Sequence, residues 1–149
     1  MRGASARRGA FVFAGLFACL TGLPAAISPA MAQSGQVQVY LVRQDYSDCT
    51  NSTVSNADSP AVSGDLSVVR QGGGTTDVKV ALTASANTTY HVFLKCVRQI
   101  GDLKTGEEGV GIEVFSFPTN LTGNVFAFDV YPEGAPLGNK FQSVQIVFK

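Results

Sequence analysis

"CVRQIGDLKTGEEGVGIEVFSF", residues 96–117, holds two apolar runs on either side of a charged, glycine-bearing bend. Ile100 and Leu103 mark a short strand before the bend. After it, Val110, Ile112 and Val114 alternate with a second set that includes Phe115 and Phe117. A period of two places the sets on opposite faces of a strand, and Pro118, lacking an N–H for the ladder, ends it. Gly106 and Gly109 allow the reversal, while Glu107 and Glu108 keep its tip in water. Adjacent glutamates in a tight turn do not face one another across a cleft, as a pair of catalytic carboxylates must. The bend therefore reads as a turn. Turns also carry recognition, so Asp102, Glu107 and Glu108 are retained as candidate binding-loop residues.

The same period extends in both directions. "QVQVYLVR" (36–43), "GDLSVVR" (64–70), "DVKVALTA" (77–84), "YHVFLKCV" (90–97), "NVFAFDVY" (124–131) and "KFQSVQIVFK" (140–149) all alternate. "QGGGTTD" (71–77) and "SANTT" (85–89) supply turns, and residues 44–61 form one long polar loop. On "YHVFLKCV", Tyr90, Val92, Leu94 and Cys96 share the face expected to point inward. Eight short strands, with no helical period after residue 33, predict an all-β chain. The expected form is an antiparallel β-sandwich of about seven to eight strands, with a small β-barrel as runner-up.

"TASANTTYHVFLKC", "LKTGEEGVGIEVFSF" and "VFAFDVYPEGAPLGNKFQSVQIVF" together resemble small secreted bacterial immunoglobulin-like β-sandwich domains. In those, a T-x-Y-x-V strand is followed by a T-x-x-x-G-x-G hairpin and a phenylalanine-rich strand. The resemblance spans most of residues 76–148. It implies the fold and brings no catalytic residue with it. The core tryptophan of antibody-type domains is missing, since the chain has no Trp.

Residues 1–32 read as a signal peptide. Arg2, Arg7 and Arg8 precede an apolar run from Phe11 to Leu20, and "AMA" (30–32) offers a cleavage site before Gln33. That run is too short to span a bilayer, which takes roughly 20 residues. The expected mature domain is 33–149, secreted or periplasmic. A minor alternative is a lipid anchor through Cys19, where "LFAC" loosely matches a lipoprotein box. Loss of the three arginines leaves 8 basic against 11 acidic residues. No basic patch appears, which excludes nucleic acid as an expected partner. Cys49 and Cys96 then remain as an even pair in an oxidising compartment, and one disulfide between them is expected. It would stabilise the fold by roughly 4 kcal/mol in the chain-entropy account.

Chemistry is limited by what the chain lacks. His91 is the only histidine, so a histidine-rich metal site is not expected, and no nucleophile is marked for a triad. Asp45, Asp48 and Asn51 in the long loop are likewise candidate binding-loop residues, and since calcium needs only oxygen ligands they form the alternative to an unliganded loop. No cofactor is expected. Phe93, Phe115 and Phe117 give two strands apolar groups on both faces, making these three a candidate interface. Four tyrosines are available as a sugar platform, none with an obvious partner. The chain is thus expected to be no enzyme but a binding, adhesive or envelope-associated module. Its partner would be an unknown protein, an envelope or extracellular ligand, or a second copy of itself. An inhibitor of a secreted hydrolase and a surface-fibre subunit are the alternatives.

Overall fold

The β-branched and aromatic residues of the alternating runs form ten strands in the computed structural model, which describes residues 35–45 and 62–149. They are β1 (Gln36–Arg43), β2 (Val62–Arg70), β3 (Thr75–Thr83), β4 (Thr89–Leu94), β5 (Arg98–Lys104), β6 (Val110–Pro118), β7 (Val125–Phe126), β8 (Phe128–Pro132), β9 (Phe141–Ser143) and β10 (Ile146–Val147). A short 3₁₀ turn, Thr119–Leu121, follows β6. Eight strands make one antiparallel sheet in the order β5, β4, β8, β9, β1, β2, β3, β6. Strands β7 and β10 pair as a separate ribbon.

The sheet rolls until its two edges nearly meet, a barrel-like closure. Edge strands β5 and β6 are consecutive in the chain yet stand at opposite ends of the ladder. Glycines let them approach. A Cβ on Gly101 would lie 2.4 Å from the Phe115 ring, and one on Gly111 would lie 2.6 Å from the Lys104 carbonyl oxygen. The expected hairpin at residues 105–109 is therefore a corner that carries the chain from one sheet edge to the other.

That corner is tied to the β3–β4 turn. The buried Thr105 hydroxyl donates to the Ser85 carbonyl at 2.6 Å and accepts from the Thr88 N–H at 3.0 Å. The N–H of Asn87, a residue held at φ 52°, bonds the Gly106 carbonyl. Asparagine tolerates this left-handed conformation better than most residues. Glu107 and Glu108 are exposed at the corner's tip.

Inside lie Leu41, Leu66, Val78, Leu82, Tyr90, Leu94, Phe128 and Phe141, each at most 1% exposed, with others from every strand of the sheet. The Tyr90 face of β4 points inward as its alternation predicts. Tyr90 also meets its polar requirement: its O–H donates to Asn139 Oδ1 at 2.6 Å and accepts from the Ser85 N–H at 3.1 Å. Tyr90→Phe is expected to cost about 1–3 kcal/mol, since it strands partly buried partners. Urea titration checks this, with the midpoint falling at unchanged slope.

Three expectations need correction. Phe115 and Phe117 are 8% and 3% exposed, so they belong to the core and are not an interface. The apolar groups that β6 shows to solvent are Val110, Ile112 and Val114, at 49%, 59% and 57% exposure. Secondly, β4 stops at Leu94, and Cys96 sits exposed in the next turn at φ 58° instead of on the inward face. The Val97 N–H closes that turn onto the Leu94 carbonyl. Thirdly, the last two expected strands are each broken. Ala127 interrupts one, giving its carbonyl to the Lys95 N–H. Residues 141–143 and 146–147 pair with different neighbours, so 140–149 is not one strand.

A candidate binding groove on the outer face

Three strands, β5, β4 and β8, lie side by side and show their outward residues on one surface. Register sets the neighbours: His91 lies opposite Asp102 and Tyr131, and Phe93 lies opposite Gln99 and Asp129. A bulge between Val92 and Phe93 shifts the β5 register and brings Gln99 level with Phe93.

The imidazole of His91 is held at both nitrogens. Nδ1 is 2.7 Å from Asp102 Oδ1, and Nε2 is 3.4 Å from Glu133 Oε2. Gln99 Nε2 donates to the same Asp102 oxygen at 2.6 Å. The hydrogen bond that the His91 Nδ1–H donates to Asp102 raises the His91 pKa; burial opposes it, and the charges of Asp102 and Glu133 add to the rise. Glu133 is 97% exposed, so its share is screened.

A raised folded-state pKa means that His91 stabilises the fold fully below its unfolded value near 6.5. That contribution is lost as pH rises through the folded value. Stability is therefore expected to increase as pH falls from about 8 to about 6, and Asp102→Asn is expected to flatten the rise. Thermal melts at fixed ionic strength measure both.

Beside this cluster the Phe93 and Tyr131 rings stack, with centroids 4.7 Å apart and planes 14° apart. His91 meets the Phe93 ring edge-on at 6.3 Å. The stacked pair lines a groove of about 350 Å³, together with Val97, Arg98, Gln99 and Asp129. Burial pushes the Asp129 carboxyl pKa up, partly offset by the positive charge of Lys95. The Lys95 ammonium is itself buried and has no hydrogen-bond partner among the described residues. Burial and the neighbouring Asp129 charge raise the Tyr131 phenol, which therefore stays neutral at physiological pH. The surface thus combines an aromatic wall, a partly desolvated carboxylate and an exposed guanidinium. This is a set for non-covalent recognition.

No family model matches this chain, and no curated protein or solved structure matches it either.

The structure separates the candidate loop residues. Asp102 lies on β5 and joins the groove cluster, whereas Glu107 and Glu108 stay at the corner. Asp45 Oδ1 accepts from the Gly138 N–H at 2.8 Å, pinning the end of β1 to the loop after β8. Asp48, Cys49 and Asn51 lie outside the described residues, and with them the calcium alternative and one end of the expected disulfide. Among the described residues, no group of three or more His, Cys, Asp or Glu is arranged to hold a metal ion. No helix there is long and apolar enough to cross a membrane.

Of the groove residues, only Phe93 and Asp102 stood out in the sequence as candidates. Tyr131 entered only as one of four tyrosines without an obvious partner, and His91, Gln99 and Asp129 did not stand out, because their association depends on cross-strand register. The available signal was parity: His91 and Phe93 share the outward face of β4, as Asp129 and Tyr131 share that of β8.

Proposed function

We propose that the mature protein is a secreted or periplasmic, non-catalytic binding module that holds its ligand in the outer groove of β4, β5 and β8. The observation that carries this reading is the stacked Phe93–Tyr131 pair beside the partly buried Asp129. Such a pair offers a large, rigid contact area at low entropic cost. The non-catalytic part rests on His91, whose two nitrogens both engage carboxylates, leaving neither directed at a hydroxyl or thiol nucleophile. In this reading the domain is an immunoglobulin-like sandwich whose two layers join at β9–β1. A Cys49–Cys96 disulfide locks it, and the mass of the mature protein before and after reduction tests that bond.

The function is tested by capture from the native extracellular fluid or periplasm on immobilised protein. A partner retained by the wild type and lost with Tyr131→Ala is the expected result. Identical capture by both would remove the groove from the account.

A further inference from the structure

Resting on that reading, we propose that the groove recognises a neutral carbohydrate. The charges lining it argue for this class. Asp129 and Arg98 both line the groove, one of each sign, and the Lys95 ammonium is close enough to act on the Asp129 charge. A cationic ligand would meet Arg98 and the field of Lys95. An anionic ligand would meet Asp129, with Asp102 and Glu133 nearby on the same surface. A polyhydroxy ligand suits both signs, because each hydroxyl can donate to a carboxylate and accept from a guanidinium.

The aromatic wall points the same way. A pyranose ring carries C–H groups on its faces and hydroxyls around its rim, so it can lie against an aromatic ring while its rim makes polar bonds. Phe93 and Tyr131 supply that wall. Asp129 lines the groove, where its carboxylate can accept from a ligand hydroxyl. Gln99 and Asp102, by contrast, are committed to each other and to His91. They hold the groove's side in place and are positioning residues. The volume, about 350 Å³, lies at the lower end of small-molecule pockets, which run roughly 300–1,000 Å³. A sugar ring at a chain end or within a chain fits that scale better than a folded protein surface does.

The test is amide chemical-shift mapping of the mature protein against neutral trisaccharides of glucose, mannose, xylose and N-acetylglucosamine, each up to about 10 mM. Arginine amide and succinate serve as charged probes. The expected result is saturable shifts for one or more trisaccharides at residues 93, 98, 99, 129 and 131. Affinity should fall at least about tenfold in Tyr131→Ala and in Asp129→Asn, and less in Tyr131→Phe. Any variant that loses the wild-type spectral fingerprint is set aside, and the wild-type map alone then decides. The proposal is overturned if no trisaccharide shifts these residues, if the shifts fall elsewhere, or if arginine amide or succinate binds there instead. Failure here with Tyr131-dependent capture intact would mean that the groove binds another class of ligand. Loss of both results would remove the groove reading itself.

Discussion

Gly64→Ala is expected to destabilise the protein by about 3 kcal/mol or more, among the largest effects of any single methyl addition to the sheet. A Cβ at position 64 would lie 2.0 Å from the Ala81 carbonyl oxygen and 3.1 Å from the Leu82 Cα. Both belong to the backbone of β3, so no side chain can swing aside. Gly64 also lies opposite Leu41 of β1, beside the bulge at Leu41–Val42, which restricts movement on the other flank. Gly72→Ala is the control, because an added Cβ there meets nothing within 4 Å. It should change stability by no more than about 0.5 kcal/mol. Denaturant midpoints for the two variants, compared at equal slope, check the contrast. Equal midpoints would show that β2 and β3 are not in the register described.

Phe128→Ala should cost about 3–5 kcal/mol, the usual range for truncating a buried phenylalanine. The side chain is fully buried. Its ring stands edge-on to Phe117 at 6.2 Å and to Phe126 at 5.8 Å, and Phe126 stacks on Phe148 at 6.1 Å. It thereby joins the large sheet to the β7–β10 ribbon. Against a typical total of roughly 5–15 kcal/mol, such a loss would leave a detectable unfolded population at room temperature. Calorimetry or urea titration measures it, and a loss under about 1 kcal/mol would contradict the packing.

Alternation of side chains was enough to locate the first six strands and most inward faces. Val78, Val80 and Leu82, or Tyr90, Val92 and Leu94, are buried because a period of two admits one choice once a face is wet. It failed on β6, where both faces are apolar. Glycine spacing resolves that strand: Gly111 shares a face with Phe115 and Phe117, and that face meets β5. Cys96 was misplaced because alternation carries no mark for where a ladder stops. Pairing between strands distant in the chain was not legible at all. Nothing local connects Tyr131 to Phe93 or Leu41 to Ser143, since register arises only when the sheet rolls.

The position of β1 has a kinetic consequence. Leu41 pairs with Ser143, and Arg43 with Phe141. A chain leaving the ribosome or a translocation channel cannot complete this ladder until its distal residues have emerged. Until then, the β1 edge that β9 will cover lacks its partner. Long-range pairings of this kind slow folding, which in β proteins commonly takes milliseconds to seconds. Such a delay would leave the sheet open along β1 until the C-terminal strands are available to close it.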